Sequence, residues 1–309
     1  MTKQSISKWI EQFLATDPPR AKSVAMTVFG DSIAPHGGAV WLGSLIALLM
    51  PFGISDRLVR TSVFRLVEDG WLEARREGRR SLYSLTAAGL RRVEHAYRRI
   101  YGPPSLQWRG EWTLLFSPPG MIDPTERGSL RKELSWEGFR VIAPGVFCRP
   151  AGSAEALDDI LNRTGLAGKL FVCQASDMAR VHSRPLHELI DHAWELEPVM
   201  ADYRRFIAQF GALADLLDAR HALEPEQAFV IRTLLIHAFR RVQLHDPLLP
   251  PELLPDDWPG ADAYELCRRI YRITYAAAEQ YLVATLRQEY DRESPAAPYF
   301  YARFGGLSE

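Results

Sequence analysis

The 309-residue chain contains only three cysteines and no long apolar run. Cys148, Cys173 and Cys267 are odd in number and far apart in the sequence. We therefore expect buried, reduced thiols in a cytoplasmic protein rather than a disulfide framework. The apolar stretch at residues 40–50 is shorter than the roughly 18 residues that a transmembrane helix requires. The N-terminal residues lack the apolar core and cleavage site of a signal peptide, so none is expected.

The chain also lacks the short motifs that carry catalysis or metal binding in many enzyme families. It contains no HExxH, no paired-cysteine zinc pattern, no GxSxG, no Walker loop and no GxGxxG. His182, His187 and His192 are spaced by five residues, which places successive side chains about 140° apart on an α-helix. This spacing favours a surface or packing role over a metal site. We therefore predict no catalytic residue, no metal and no cofactor.

The formal net charge of −1 conceals a strong asymmetry along the chain. Residues 1–101 carry 15 Lys and Arg against 9 Asp and Glu, a net charge of +6. Residues 102–309 carry a net charge of −7. This distribution indicates that only the N-terminal part of the chain approaches a polyanion.

The N-terminal hundred residues have the element order of a winged helix-turn-helix domain. Apolar residues at helical spacing alternate with breakers such as Asp17-Pro18-Pro19, and Glu77-Gly78 marks a tight turn. Ser55 is a favourable N-cap for the fourth helix, with Asp56 in its first turn. The predicted elements are helices at about 4–14, 20–30, 40–50 and 55–68, a hairpin of WLEAR and SLYSL, and a helix starting at Thr86.

The helix at 55–68 is the predicted recognition helix. Its apolar face (Val59, Ser62, Val63 and Leu66) should pack inward, leaving the opposite face free. In a winged helix, the N-terminal half of this helix enters the major groove. An arginine there can contact guanine in a bidentate manner, which contributes about 1–3 kcal/mol of discrimination.

The predicted DNA-binding residues follow from this placement. Base contacts are expected from the N-terminal half of the helix, phosphate contacts from its next turn, and backbone or minor-groove contacts from the hairpin tip around Gly78. The alternative is that these arginines are merely solvated surface groups. The predicted residues are Ser55, Arg57, Arg60, Thr61, Arg65, Arg75, Arg76, Arg79 and Arg80.

The rest of the chain predicts two further domains. Residues 108–178 have the order βαββαβ of a ferredoxin-like domain. Helical patterns follow, interrupted by a loop at 245–260 whose five prolines exclude a helix. The fold class is therefore α+β, with a winged-helix DNA-binding domain (1–101), a ferredoxin-like central domain (105–180) and a helical effector and dimerisation domain (181–309).

Two long segments near the N-terminus are FGDSIAPHGGAVWLGSLIALL (29–49) and ISDRLVRTSVFRLVEDGWLEARREGRRSLYSLTAAG (54–89). They closely resemble the PaaX family of bacterial repressors of phenylacetic acid catabolism. The resemblance extends to LLIHAFRRVQLHDPLLPPELLPDDWPG (234–260) and YFYARFGGL (299–307), and so covers nearly the whole chain. The LVEDGW region also resembles the wider GntR-type winged helix.

This resemblance implies a homodimeric repressor that binds a palindromic operator of double-stranded DNA at catabolic promoters. It implies that phenylacetyl-CoA, or a related aryl-acyl-CoA, is the inducer that releases the protein from DNA. The central domain is similar to the ferredoxin-like nucleases of CRISPR systems, which hold a metal with an aspartate at the end of the first strand. This chain has Ser117 at that place, which favours a spacer or dimerisation role over a nuclease.

An acyl-CoA effector requires an apolar pocket for the acyl group and cations for the phosphates. The segment IRTLLIHAFRRVQLHDP (231–247) offers both on one helix. Equally, the aromatic residues could belong to the core, with Arg240 and Arg241 paired to acids such as Asp246. The effector-binding candidates are Trp194, Tyr203, Phe206, Arg232, His237, Arg240, Arg241 and Trp258.

Two other functions compete with an effector-responsive repressor. The first is an enzyme that processes CoA thioesters and carries an accessory DNA-binding module. It needs a nucleophile activated by a neighbouring base, and the sequence shows no such pair. The second is a structural nucleic-acid protein that has no effector.

Overall fold

The computed structural model of the chain contains two compact units. The first unit comprises Met1–Pro103, Tyr203–Gln243 and Gly260–Glu309, and the second comprises Pro104–Asp202 and Leu244–Pro259. The first unit thus includes both the basic N-terminal module and most of the C-terminal helices, while the three-domain division stays a prediction. The residues that the structure describes are 5–102, 108–150, 154–176, 186–219, 222–287 and 295–307.

Helices and strands are both abundant, which confirms the predicted α+β class. The helices are α1 (Ile6–Thr16), α2 (Ala21–Val28), α3 (Leu42–Leu49), α4 (Asp56–Glu68), α5 (Ala87–Tyr101), α6 (Pro124–Trp136), α7 (Ala154–Thr164), α8 (Leu186–Trp194), α9 (Leu196–Asp218), α10 (Pro225–Gln243), α11 (Gly260–Arg287) and α12 (Pro298–Tyr301). The strands are β1 (Ala39–Trp41), β2 (Leu72–Glu77), β3 (Arg80–Leu85), β4 (Glu111–Phe116), β5 (Arg140–Ala143), β6 (Val146–Pro150) and β7 (Phe171–Ser176).

Two local features of the first unit differ from the sequence prediction. The helix predicted at 40–50 starts only at Leu42, because residues 39–41 form β1 and pair antiparallel with β3. Val40 and Trp41 favour strands, and β3 offers them a free edge. The helix predicted at 20–30 continues beyond α2 as a π-helical turn, Phe29–Ile33. Both differences depend on partners that are distant in the sequence.

The π-helical turn places Asp31 in the interior of the first unit, where only 2% of the residue is exposed. Its Oδ1 accepts hydrogen bonds from the hydroxyls of Tyr101 (2.6 Å) and Tyr271 (2.9 Å) and from Nη1 of Arg303 (3.0 Å). Its Oδ2 lies 3.1 Å from Nε of Arg232. The Asp31 carboxylate thus compensates the charges of two arginines, Arg232 and Arg303, both of which are fully buried.

A second carboxylate extends this cluster. Arg232 donates to Glu279 (2.6 Å) and to the Ser32 hydroxyl (2.9 Å), and Glu279 also contacts Nε2 of His36 at 2.8 Å. Burial would raise the pKa of Glu279, but Arg232 and His36 outweigh it and hold that pKa at about 2. We call these residues, with Asp31, the Asp31 cluster. It ties the π-turn to α10, α11 and the segment after α12.

The second unit has the predicted order βαββαβ in residues 111–176. Its antiparallel sheet has the strand order β5-β6-β4-β7. Leu115 and Phe147 face a core that includes residues of α6 and α7. Trp112 and Cys148 face the opposite side, toward α8 and part of the proline-rich loop. The alternation of these side chains follows the period of two of a strand that is covered on both faces.

The cysteine prediction is correct for two residues and wrong for the third. All three cysteines are free thiols, and Cys148 and Cys267 are buried. Burial raises the pKa of Cys148 to about 12. Cys173 is exposed because it lies on β7, which forms an edge of the sheet.

In the part of the chain that the structure describes, no single helix is long and apolar enough to cross a membrane. The segments Leu42–Phe52 and Asp56–Glu68 meet that standard only together, across a bend of 118°, and only by length and composition.

A candidate nucleic-acid interface

The candidate interface is the exposed face of α4. Ser55 is the N-cap, and its hydroxyl accepts a hydrogen bond from the amide of Leu58 at 3.4 Å. Val59, Ser62, Val63 and Leu66 are buried, as the periodicity predicts. α4 packs on α2, α3 and β2 through this face, so its opposite face is available to a partner.

The polar side chains on this free face differ in whether they have a hydrogen-bond or ion-pair partner within the chain. The Arg60 guanidinium donates from Nε and Nη2 to the two carboxylate oxygens of Asp56, at 2.6 and 3.2 Å. This hydrogen bond and the charge of Asp56 raise the pKa of Arg60. The Thr61 hydroxyl donates to the Arg57 carbonyl. Among the described residues, the side chains of Arg57 and Arg65 have no ion-pair partner, so both are available to an anion without a competing contact.

We call the hairpin of β2 and β3 the wing, after the element that the sequence predicts at this place; β2 lies at the edge of the three-stranded sheet β1-β3-β2. All of β2 except Leu72 is exposed, so neither face of the strand is covered along most of its length. Gly78 has a φ of 59°, the conformation that the first position of a two-residue type II′ turn requires. The turn therefore presents the side chain of Arg79 at the tip, between the paired residues Glu77 and Arg80.

The wing arginines also differ in their contacts. Arg75 forms an ion pair with Glu77 at 2.5 Å, and Nε of Arg76 donates to the Gly78 carbonyl at 3.2 Å. The Arg80 guanidinium lies 5.8 Å from the centre of the Trp41 ring. Arg79 has no ion-pair partner within the described part of the chain. Arg57, Arg65 and Arg79 are thus the arginines whose charge is least committed locally.

The base of the wing is held to the end of α4 by Thr86. Its hydroxyl donates to the Gly70 carbonyl at 2.8 Å, and its backbone amide donates to the Trp71 carbonyl at 3.0 Å. The same hydroxyl accepts from the amide of Gly89 and so caps α5. These contacts fix where the hairpin starts relative to α4.

Two apolar residues on the same face were not predicted as site residues. Leu58 is 51% exposed and Phe64 is 62% exposed, although both are large and apolar. Apolar side chains in a major groove contact the thymine methyl group. Their only signal in the sequence is an apolar residue at a position where the helical period predicts a polar one.

The predicted effector residues are placed in two groups. Tyr203, Phe206, Arg232, His237, Arg240 and Arg241 belong to the first unit, and Trp194 and Trp258 belong to the second. Tyr203 and Phe206 are buried, with Phe206 packed against Phe239. Trp194 is buried beside Trp112, and its indole donates to the Gly138 carbonyl. The role of these residues in effector binding stays a prediction.

The basic members of the first group mostly have partners within the unit. Arg232 belongs to the Asp31 cluster. Nη2 of Arg240 lies 3.3 Å from the Ser23 hydroxyl, and burial lowers the pKa of this arginine. Arg241 is exposed and lies 3.8 Å from Asp17. Arg241 is therefore the member of this group that most readily meets a phosphate from solvent.

His237 is buried as a neutral imidazole. Its Nδ1 lies 3.1 Å from the Thr27 hydroxyl. Burial, with the charges of Arg240 and Arg241, lowers the pKa of His237 to about 3. A histidine with so low a pKa in the folded state opposes folding in acid, because the unfolded chain takes up a proton that the folded chain does not.

The fold should therefore lose stability between pH 7 and pH 5. The unfolded histidine titrates near 6.5, so the contribution of His237 is complete above that pH and falls as the pH drops toward 3. We expect a loss of about 2 kcal/mol in the free energy of unfolding between pH 7 and pH 5, measured by urea titration. His237→Asn should remove this loss. His192→Asn, at an exposed position, should retain it, and equal pH dependence in both variants would contradict the assignment.

The structure offers no support for a metal centre among its described residues. No group of three or more His, Cys, Asp or Glu is placed to hold an ion in that part of the chain. His182 lies outside the described residues, as does the side chain of His187. β4 ends at Phe116, and the next residue, Ser117, has a buried hydroxyl without a hydrogen-bond partner. A serine hydroxyl is a poor substitute for the metal-binding aspartate expected in a nuclease at this place.

Comparisons with known proteins give a consistent result along the chain. Three family models match it in succession: PaaX-like protein over residues 20–89, PaaX protein central Cas2-like domain over 105–188, and PaaX-like protein C-terminal domain over 194–284. The Transcriptional repressor PaaX of Escherichia coli (strain K12) is 37% identical over 305 residues, which cover 98% of this chain and 96% of the repressor.

A solved structure is also similar. It is described as uncharacterized protein Rv0674 from Mycobacterium tuberculosis. The two chains share 25% sequence identity with a TM-score of 0.52, over 83% of this chain and 98% of that one.

Proposed function

Because the chain belongs to the PaaX family, we propose that it is a transcriptional repressor that binds operator DNA through its basic N-terminal module. The main observation in favour is the exposed face of α4, with the cations Arg57 and Arg65 lacking ion-pair partners among the described residues. The similarity to a protein named a transcriptional repressor supports a regulatory rather than an enzymatic role. Such a repressor acts in the cytoplasm, where its operator lies.

The proposed docking is that of a winged helix-turn-helix domain. In it, α4 enters the major groove, Arg57, Arg60 and Thr61 contact base edges, and Arg65 contacts phosphate. Arg75 and Arg76 contact the backbone, while Arg79 and Arg80 at the wing tip reach the adjacent phosphates or minor groove. Ser55 holds the start of α4, and with it the reading residues, in place.

We further propose that the repressor acts as a homodimer on a palindromic operator. The edge strand β7 supports a protein contact in the second unit. Phe171 on β7 is 69% exposed, and its partner on β4, Phe116, is 38% exposed. An edge strand with exposed aromatic residues offers unpaired backbone groups and apolar area to a second strand.

The proposed effector is phenylacetyl-CoA or a related aryl-acyl-CoA, and the proposed target is an operon for aromatic catabolism, with phenylacetate as the growth substrate. The resemblance to the PaaX family supports this identity. Release requires that the effector bind more tightly to a conformation that has low affinity for DNA. The acyl-CoA thus acts as a ligand and is not consumed.

An operator-selection experiment tests the proposal. Duplexes retained by the purified protein from a random library should share a palindrome, with half-sites separated by about 10–10.5 base pairs or a multiple of that. Phenylacetyl-CoA should weaken binding to the selected duplex at least tenfold, and phenylacetate or CoA alone should not. Two chains should bind each duplex.

Three results would contradict the proposal. The first is the failure of any duplex to be enriched, and the second is operator binding that no aryl-acyl-CoA changes. The third is sustained release of free thiol from phenylacetyl-CoA, which would favour the alternative of a CoA-thioester-processing enzyme.

A further inference from the structure

One face of α6 forms the wall of an open cleft in the second unit, with a volume of about 480 Å³. This volume lies in the range of small-molecule sites. The residues that α6 contributes are spaced by three and four, so they lie on one stripe of the helix. The opposite wall comes from the start of β5 and from residues 244–246. The lining residues are Gly128, Arg131, Lys132, Ser135, Trp136, Arg140, Leu244, His245 and Asp246.

The cleft is positively charged, although the unit that contains it has a negative net charge. The second unit, residues 104–202 and 244–259, carries 10 Lys and Arg against 18 Asp and Glu, a net charge of −8. Three of those ten cations line this one cleft, against a single carboxylate, that of Asp246. Arg131 and Lys132 are exposed, and neither has an ion-pair partner in the described part of the chain. Their charges are therefore available to an anion in the cleft.

Arg140 is held in place by the last turn of α6 and by the residue that precedes it in the chain. Its Nη1 donates to the Phe139 carbonyl at 2.9 Å and to the carbonyl and hydroxyl of Ser135 at 3.3 and 3.2 Å. A guanidinium that is fixed in this way needs little reorganisation to bind a phosphate, because its orientation is already set.

Trp136 adds an aromatic surface to the same stripe. The residue is 43% exposed, although tryptophan is among the largest apolar side chains. Its indole ring is a flat surface on which a second ring can stack. The cleft thus combines a stacking surface with three cations.

Gly128 has no packing reason to be glycine. It lies in the interior of α6, where glycine weakens a helix relative to alanine. A Cβ built at this position meets no atom within 4 Å, and the backbone does not have the positive φ that would require glycine. The missing side chain leaves the helix backbone open to the cleft. Close approach of a ligand to the backbone explains a glycine in such a place.

We propose that this cleft, the α6 cleft, binds an aromatic ligand that carries several phosphate groups, of the adenine-nucleotide class. The ring stacks on Trp136 beside Gly128, and the phosphates pair with Arg131, Lys132 and Arg140. The nucleotide half of CoA belongs to this class, and its assignment to the cleft rests on the proposed function. A free adenine nucleotide is the other source of the same chemistry.

The size and charge of the site favour a small molecule over a nucleic acid. A nucleic-acid strand would extend past the cleft onto a unit of net charge −8, which repels a polyanion. A single nucleotide places its charge only where the three cations lie.

The binding experiment uses the full-length protein and calorimetric titration. The probes are phenylacetyl-CoA, CoA, adenosine 3′,5′-bisphosphate, ATP, adenosine and inorganic pyrophosphate. We expect at least one ligand with both ring and phosphates to bind, and adenosine and pyrophosphate to bind at least tenfold more weakly. Tightest binding by the CoA probes would identify CoA as the source, and tightest binding by ATP a free nucleotide.

Three variants and one control test the site itself. Arg131→Glu combined with Lys132→Glu should weaken binding at least tenfold, and Trp136→Ala should weaken it severalfold. Gly128→Ala should raise the melting temperature yet weaken binding. Arg127→Glu changes an exposed charge on the same helix outside the cleft and should bind like the wild type.

The outcomes separate this proposal from the proposed function. If phenylacetyl-CoA releases the operator equally well from all three variants, and no probe binds them more weakly, the cleft proposal is overturned while the repressor proposal stands. If the variants lose nucleotide binding but no acyl-CoA releases the operator, the cleft proposal stands and the effector proposal fails.

Discussion

Replacing Asp31 with asparagine is expected to lower the free energy of unfolding by about 3–5 kcal/mol. The carboxylate faces two fully buried arginines, Arg232 and Arg303, and asparagine removes the charge that offsets both. Desolvation alone would lower the pKa of Arg232, but the charges of Asp31 and Glu279 outweigh it and raise that pKa. The arginines would therefore remain charged in the variant, with less compensation. Urea titration monitored by circular dichroism measures the loss.

Two further variants separate a charge effect from a general loss of packing. Glu279→Gln should cost less than Asp31→Asn, because Arg232 keeps Asp31 and Arg303 is unaffected. Arg303→Met in the Asp31→Asn background should restore part of the stability, since it removes a buried charge that has lost its partner. The Arg303→Met single variant completes the comparison. If the double variant lost as much free energy of unfolding as Asp31→Asn and Arg303→Met lose together, the coupling between the two residues would be contradicted.

The second large effect is expected in operator binding by Arg57→Ala. We expect a loss of about 10- to 100-fold in affinity and weaker discrimination against changes in the half-site, because Arg57 occupies the N-terminal half of α4, the proposed recognition helix. Arg60→Ala should act in the same direction but less strongly, since Arg60 must first leave the Asp56 carboxylate. Titration of the selected operator and of duplexes with single base changes measures both quantities.

Arg79→Ala at the wing tip should behave differently from the helix variants. It should weaken binding to all duplexes by a similar factor and reduce the dependence on salt concentration, because a phosphate contact carries no base preference. Arg268→Ala is a matched control, since this half-buried arginine on α11 pairs with Glu265 outside the basic module. Wild-type affinity for Arg57→Ala, Arg60→Ala and Arg79→Ala would show that the proposed docking is wrong.

Most elements could be predicted because their signals are local. The cap at Ser55 and the buried positions Val59, Val63 and Leu66 are encoded within one helix. Gly78 specifies a four-residue turn. The βαββαβ order of residues 111–176 follows from the hydrophobic patterns of successive short segments. The concentration of positive charge in the first hundred residues is likewise a property of the sequence alone.

The Asp31 cluster could not be predicted in the same way. Asp31, Arg232 and Arg303 are separated by some 70 to 270 residues, and nothing in the local pattern of each indicates its partners. The sequence also could not decide whether Arg232 binds an effector. A helix with basic and apolar residues is equally consistent with a ligand pocket and with a buried ion pair. The short strand β1 depends on β3, more than forty residues away.

By itself, the sequence determined most of the helices, the β2–β3 hairpin, the family resemblance and the position of the basic module, because capping, periodicity and charge are properties of neighbouring residues. Only the tertiary structure decided which cations remain available to a ligand. Burial and ion pairing commit Arg232 to Asp31 and Glu279, whereas Arg57, Arg79, Arg131 and Lys132 have no ion-pair partner among the described residues. The physical reason is that the sequence determines only where each arginine lies along the chain, whereas folding decides which acidic or polar groups lie close enough to compensate its charge.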